Sequence, residues 1–500
     1  MHMAAAKAGK QHNKLKPAAS AALVVVTFAL LVLVYYLNLG SSNWVIGIKF
    51  IAALAVLMLA GTAIRRINSF EGASGLYIFG GRYGIKAIEW VAGNRKTFWE
   101  FFAEVGLVMS FGALSYFIFK GQIRKSALVS GLILVTVLLF IIFPFIVLSL
   151  QFITIPGIHK ITIQSVPLGF PPLDFLTVIE LISIFAGGLA LFVVALLAYA
   201  SASIAYSLFS FTSSVVVSHA ANYTILQSQI PALEPVLPGV TIPLFAGILA
   251  LAVVLVVHES SHGILSTIYR TKVKRVGLLI FGVIPIGAFV DPGEKQIAAL
   301  SKEKQNKILI AGITANYFFT FIFFIFSFLM LYYVMPGLYK NAIVISAVLP
   351  NSPANGILTA GSVVTSWNGH NVTNSSSIEN AARSDAPGSI VKVLTNTGNY
   401  SITANSTGKI GVDLEEQQMP AASSAYFSIS NFLYQFVVLA FALNLLVAIF
   451  NLLPLPLGFD GMRIYQNVIK NNSAKKALIL FVVIIMIILI LPWIWWLLGI

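Results

Sequence analysis

Long apolar stretches separated by short polar segments run through most of the chain. A helix of about 20 apolar residues crosses the hydrocarbon core of a bilayer. Stretches of about that length lie near 20–38, 44–64, 101–119, 126–149, 175–199, 251–270, 308–334, 431–453 and 477–499, with a shorter one at 203–219. Residues 340–413 lie in the longest break in this pattern. The pattern predicts a polytopic α-helical membrane protein with about 8–10 transmembrane helices.

The composition agrees with this class. Of 500 residues, 58% are hydrophobic and 10% are charged, and the mean hydropathy is +0.90. The net charge of +14 does not require a nucleic-acid partner, because Lys and Arg cluster beside the apolar stretches, as cytoplasmic loops of membrane proteins do. The chain has no cysteine, so any metal must be held by His and carboxylate side chains.

One apolar stretch contains the sequence HESSH. His258 and His262 are four residues apart, so on a helix they share one face and can hold one zinc ion, with Glu259 beside them as a general base. The alternative is a pair of structural or pore-facing histidines. Because polar residues inside a membrane span are costly, the metal site is the stronger interpretation.

The residues after HESSH predict its sidedness and a β-hairpin. Four basic residues follow the span and place its end, with the zinc site, toward the cytoplasm: Arg270, Lys272, Lys274 and Arg275. The segment 276–291 is apolar but contains three glycines and a proline, which favour two short strands joined by a turn. We interpret it as a re-entrant hairpin folded against the site; the alternative is a short interfacial loop.

Several polar residues occur within other apolar stretches. Gly312 permits close helix approach, and Asn316, one turn further along, is either a helix–helix contact or a substrate contact. Glu104 and Glu180 lie near the ends of their predicted spans, and we expect their carboxylates to reach the membrane interface.

Residues 340–413 have a different character. Hydrophobic residues alternate with period two, and Asn368-Gly369 and Thr397-Gly398 are typical of tight turns. The segment predicts a small soluble α/β domain. One span separates it from the cytoplasmic loop, so the topology places it on the exterior side.

A third metal ligand is predicted near the C-terminus. Asn451 begins the sequence NLLPLPLGFDG, in which prolines and glycines end a span near its cytoplasmic face. Asp460 in this segment would lie at the depth of His258 and His262. A catalytic zinc ion needs three protein ligands and one open position for water, which these residues supply. The predicted reaction is peptide hydrolysis in a substrate within the bilayer, with Gly287, Asn316 and Asn451 as candidate substrate-binding residues.

Taken together, these motifs resemble those of the site-2 protease family of intramembrane zinc metalloproteases. HESSH matches the family's HExxH motif, AGITAN (311–316) resembles its second-helix motif, and NLLPLPLGFDG resembles the motif carrying the third ligand. SPANG and GSVVTSWNGHNV resemble the start of a PDZ domain. Asp460 lies one residue further from Asn451 than is usual in the family.

The resemblance implies a zinc-dependent protease with an inserted PDZ-like domain, which could bind a peptide ligand. It divides the chain into an accessory transmembrane bundle (1–240), two parts of a protease core (241–335 and 431–500) and the PDZ-like domain (340–413). The implied partners are transmembrane protein substrates and the lipid bilayer, and the implied location is the cell membrane. The alternatives are an inactive scaffold that works through the PDZ-like domain, a transporter, and a zinc protease that faces the exterior.

Overall fold

The computed structural model describes residues 2–37, 43–82, 84–145, 173–218, 236, 238, 242–291, 293–421, 424–456 and 458–498. The chain divides into two compact units. The first contains the residues up to 327 together with those from 435 onward, and the second contains residues 328–434.

The first unit consists mainly of long helices, which lie both near the N-terminus and near the C-terminus of the chain. In chain order the helices are α1 (His2–Tyr36), α2 (Asn43–Asn68), α3 (Ile85–Ala92), α4 (Lys96–Phe111), α5 (Ser115–Ile118), α6 (Lys125–Val137), α7 (Leu173–Ala186), α8 (Gly188–Ser218), α9 (Leu244–Ile268), α10 (Glu294–Ala298) and α11 (Lys302–Leu329). The C-terminal part contains α14 (Ser424–Leu452), which begins within the second unit, α15 (Asp460–Val468) and α16 (Asn472–Leu498). Within the described residues, eight helical segments are long and apolar enough to cross a membrane. The protein is therefore a multi-pass membrane protein.

Two predicted spans have different bounds. The predicted span 101–119 is wrong, because α4 is 16 residues long and ends at Gly112, whose φ of 64° favours glycine. The predicted span 175–199 is interrupted at Gly188, which has a φ of 57°, and residues 203–218 of the shorter predicted stretch belong to α8. A Cβ atom at Gly188 would lie 2.5 Å from the Gly112 nitrogen, so the two breaks allow two backbones to meet.

The segment between α2 and α3 forms strands. Strands β1 (Gly72–Ala73) and β2 (Leu76–Gly81) precede α3, and β3 (Arg275–Phe281) and β4 (Ile284–Asp291) follow α9. All four make one antiparallel sheet in the order β1-β2-β3-β4. Strand pairing between β3 and β4 is as predicted for segment 276–291. The pairing of β2 with β3, residues 76–81 against 276–281, was not predicted, since it joins segments 200 residues apart in sequence.

The largest buried cluster of the first unit joins its N-terminal and C-terminal helices. Leu107 and Met109 of α4 are buried with Ile310 and Ile313 of α11 and with Ala448 of α14. Gly106 of α4 meets α11 so closely that a Cβ atom there would overlap Thr314 Oγ1. Helix α4, which precedes residue 240, therefore shares one hydrophobic core with the residues predicted to form the protease.

The second unit contains α12 (Met335–Leu338), α13 (Ser375–Ala382) and six strands. The strands are β5 (Tyr339–Val348), β6 (Val363–Trp367), β7 (His370–Asn371), β8 (Ile390–Thr395), β9 (Gly398–Thr403) and β10 (Val412–Pro420). They form an antiparallel sheet in the order β10-β5-β6-β8-β9, with β7 on β6. Val391 and Val393 alternate into the core, and Asn368 and Gly369, with φ of 49° and 84°, make the predicted turn.

Candidate metal centre

His258 and His262 lie on one face of α9, as their spacing predicts. The side chains are 6% and 12% exposed, and α9 is one of the eight segments long enough to cross a membrane. Buried ionisable side chains within a helix that crosses a membrane are energetically costly unless they are paired or ligate a metal.

Asp460 completes a compact group of three ligand atoms. His258 Nε2 and His262 Nε2 are 3.1 Å apart, and each lies 3.1 Å from Asp460 Oδ2. Donor atoms of a tetrahedral zinc site, about 2.0–2.1 Å from the ion, are about 3.3 Å from one another. The three side chains could therefore hold one metal ion, as their chemistry predicts.

The protonation of His262 is fixed by its neighbour. His262 Nδ1 lies 2.7 Å from the Ile308 carbonyl oxygen of α11, which can only accept a hydrogen bond. Nδ1 therefore carries the proton, and in the neutral imidazole the lone pair is on Nε2. That is the atom beside His258 and Asp460, so the backbone of α11 prepares His262 for metal binding.

Asn316 is the corresponding neighbour of His258. Its side-chain amide is completely buried, and its Nδ2 lies 3.1 Å from His258 Nδ1. Its Oδ1 has no hydrogen-bond partner within the described residues. When Nε2 binds a metal, Nδ1 carries the proton and needs an acceptor. When the positions of Oδ1 and Nδ2 in the Asn316 amide are exchanged, Oδ1 becomes that acceptor. Asn316 is thus placed to orient a metal ligand.

Gly312 provides the space in which the imidazoles meet α11. A Cβ atom there would lie 2.5 Å from His262 Nε2 and 2.8 Å from His258 Nε2. These are the two metal-binding atoms, so any larger residue would displace the ligands. The close helix approach predicted for Gly312 is present, and its partner is the ligand pair.

Asp460 reaches the site from the start of a helix. The chain is extended at Phe459 and becomes helical at Asp460, the first residue of α15. Gly461 packs against the end of α14, where a Cβ atom would overlap the Leu452 carbonyl oxygen. The glycine after Asp460 therefore lets the turn fold back tightly and present the carboxylate to α9.

Glu259 faces the β-sheet and is half-buried beside the histidines. Its Oε2 accepts a hydrogen bond of 3.2 Å from the backbone nitrogen of Val290 in β4. The carboxylate is adjacent in sequence to a ligand and lies against an edge strand. A general base in that position can serve a substrate that binds along β4.

Comparison with known proteins gives a family match for the region that contains this centre. The family model for peptidase family M50 matches residues 246–491, which contain all three ligand residues and Glu259. This match makes residues 246–491 similar to peptidase family M50, the site-2 protease family. An uncharacterized protein of Methanocaldococcus jannaschii is 29% identical over 243 residues, 47% of this chain. The chain spans 61% of that relative's length.

For the remaining predicted site residues, Asn451 and Gly287, the structure gives local contacts. Asn451 Nδ2 donates to the Val447 carbonyl of its own helix, at 3.0 Å. Gly287 lies in β4, opposite Leu279 of β3. Substrate binding by Gly287, Asn316 and Asn451 stays a prediction.

Two arrangements in this part of the structure were not predicted. The Ile308 carbonyl oxygen is a backbone atom, which no residue type reveals. Glu104, expected at the membrane interface, is instead 3% exposed and bonded to Arg124 and Lys307, one residue before Ile308. Glu180, also expected at the interface, is 5% exposed. The basic residues Arg124 and Lys307 were the sequence signal for a buried ion pair at Glu104, but the tertiary structure alone brings them close to it.

Proposed function

We propose that this protein is an intramembrane zinc metalloprotease that hydrolyses peptide bonds within transmembrane segments of other membrane proteins. The observation that carries this proposal is the triangle of His258 Nε2, His262 Nε2 and Asp460 Oδ2, with sides of 3.1 Å, on an apolar helix next to Glu259. The match of residues 246–491 to family M50 supports a metalloprotease.

Each residue has a distinct part in this reaction. His258, His262 and Asp460 would hold Zn²⁺, which when bound acidifies a water molecule and polarises the scissile carbonyl. Glu259 takes a proton from the attacking water and returns it to the leaving amine. Asn316 and the Ile308 carbonyl hold the two imidazoles in the orientation that leaves Nε2 free.

The sheet limits where a substrate can bind. A transmembrane helix must unwind before its peptide bonds are accessible, and an unwound segment can add to a sheet as an extra strand. Strand β2 already covers the outer edge of β3, whereas no described strand covers β4. The substrate strand therefore adds to β4, the strand that contacts Glu259.

The proposal includes the position of the protein in the cell membrane. The basic cluster after α9 supports an active site toward the cytoplasm, and the single span between that cluster and residues 340–413 supports an exterior location for them. The second unit would act as a PDZ-like module that binds a peptide.

The test is cleavage of a panel of single-span membrane proteins by the wild-type protein and by Glu259→Gln, with zinc quantified in both. We expect wild type to cleave at least one substrate within its span and Glu259→Gln to retain zinc without cleavage. Equal cleavage by both proteins overturns the mechanism. Negligible zinc in wild type, with no cleavage, favours a membrane scaffold instead.

A further inference from the structure

Glu104 is a buried acid that joins three elements of the first unit. The side chain is 3% exposed and lies on α4, outside the region matched by family M50. Its Oε2 accepts 2.8 and 3.0 Å hydrogen bonds from the side-chain Nε and backbone nitrogen of Arg124, at the start of α6. Its Oε1 accepts a 3.0 Å hydrogen bond from Lys307 Nζ of α11.

Lys307 is buried as well. Its side chain is 5% exposed, and Nζ also donates to Glu303 Oε1 at 3.0 Å, one turn earlier on α11. Glu303 is 45% exposed, so Lys307 has one partner in solvent and one in the core. Removing a single partner from a buried ion pair leaves an uncompensated charge, whereas removing both can be neutral for stability. The pair is therefore better explained by what it positions than by net stabilisation.

The residues on either side of Lys307 contact the metal-binding elements. The Ile308 carbonyl accepts the hydrogen bond from His262 Nδ1 at 2.7 Å. Asn306 Oδ1 accepts a 2.8 Å hydrogen bond from Asn467 of α15, the helix that begins with Asp460. Three consecutive residues of α11 thus contact α15, α4 and α9. A shift of this turn would move the acceptor of His262 and the helix of Asp460 together.

We propose that Glu104 is a positioning residue for the zinc centre. Through Lys307 it fixes the first turns of α11, and these fix the Ile308 carbonyl that orients His262. This inference rests on the proposed function, because it treats the three-ligand group as a zinc site. It assigns residues outside the M50 region a part in zinc binding.

The test compares four variants of the full-length protein in lipid nanodiscs: Glu104→Gln, Lys307→Met, the double variant, and Glu303→Gln. Glu303→Gln is the matched control, since it makes the same carboxylate-to-amide change at the solvent-exposed partner of the same lysine. The readouts are the zinc dissociation constant from chelator competition, the absorption spectrum of the cobalt-substituted protein, and the midpoint of thermal unfolding.

We expect Glu104→Gln and Lys307→Met to weaken zinc binding about tenfold, the lower end of the range for lost outer-sphere contacts, and to alter the cobalt spectrum. Glu303→Gln should stay within about twofold of wild type. The double variant removes both buried charges, so it should regain thermal stability while zinc binding stays weak.

Two results overturn the inference. One is wild-type zinc affinity in Glu104→Gln, and the other is a double variant whose zinc affinity recovers together with its stability. Cleavage assays distinguish failure of this inference from failure of the proposed function. If wild type binds zinc but cleaves nothing, the protease proposal fails and the comparison of zinc affinities still decides the role of Glu104. If wild type binds no zinc, both fail.

Discussion

The absence of a side chain at Gly312 is as important to the centre as the ligands themselves. The two imidazoles approach α11 from α9, and their metal-binding nitrogens occupy the space that a Cβ atom would fill. The ligands are held from behind by Ile308 and Asn316 of the same helix. They cannot retreat without breaking those hydrogen bonds, so the site has little freedom to accommodate a larger residue.

We therefore expect Gly312→Ala to abolish stoichiometric zinc binding. The added methyl would lie 2.5 Å from His262 Nε2, well inside van der Waals contact. Zinc content of the purified protein measures the effect. Gly337→Ala is the matched control, because a Cβ atom there has nothing within 4 Å. Equal zinc content in the two variants would contradict the packing argument.

Strand β4 is the part of the sheet that contacts Glu259, beside the candidate metal centre. Val290 donates its backbone N–H to Glu259 rather than to β3, so this N–H points away from the hairpin. In an antiparallel edge strand, every second backbone N–H points outward. The N–H of Ala288, two residues before Val290, therefore points the same way. Ala288 is paired with Leu278 in the register of the hairpin. Its backbone is therefore available to an added substrate strand.

Replacing Ala288 by proline removes this outward N–H and spares the hydrogen bonds to β3. We expect cleavage efficiency to fall about five- to tenfold, which corresponds to the loss of one hydrogen bond of about 1 kcal/mol. Zinc content should not change. Ala288→Ser keeps the N–H and should cleave like wild type. Unchanged cleavage by the proline variant would exclude strand addition at this residue.

Local sequence patterns predicted the parts of the centre but not all of their surroundings. The spacing of His258 and His262 and the turn residues around Asp460 are local signals, and the structure brings these three side chains together. Strand β2 and Glu104 acquire their roles only by contact with segments about 200 residues away. The predicted span 101–119 was wrong because apolar content does not reveal where a glycine such as Gly112 ends a helix.

Helix α4, from the residues predicted to form the accessory bundle, lies in the same compact unit as the helices of the predicted protease core. Helix α4 packs against α11 through Gly106 and Thr314 and through a 3.2 Å hydrogen bond between Ser110 and Tyr317. The ring of Phe111 contacts that of Tyr465 on α15 at 5.7 Å. Helix α4 therefore contacts both α11, which carries Gly312 and Asn316, and α15, which begins with Asp460. The N-terminal residues contribute to the core on which the ligands depend.

Enlarging Gly106 tests whether this core is shared. In Gly106→Ala the new methyl overlaps Thr314 Oγ1, and we expect overpacking to destabilise the protein by about 1–3 kcal/mol and to lower zinc retention. Thermal unfolding and zinc content in nanodiscs measure the two effects. Adding Thr314→Gly removes the overlapping side chain and should restore zinc retention and part of the stability, because a glycine within α11 itself costs about 1 kcal/mol. If Gly106→Ala lowers stability while zinc retention stays at the wild-type level, the N-terminal helices form an independent bundle and the shared core is not coupled to the metal centre.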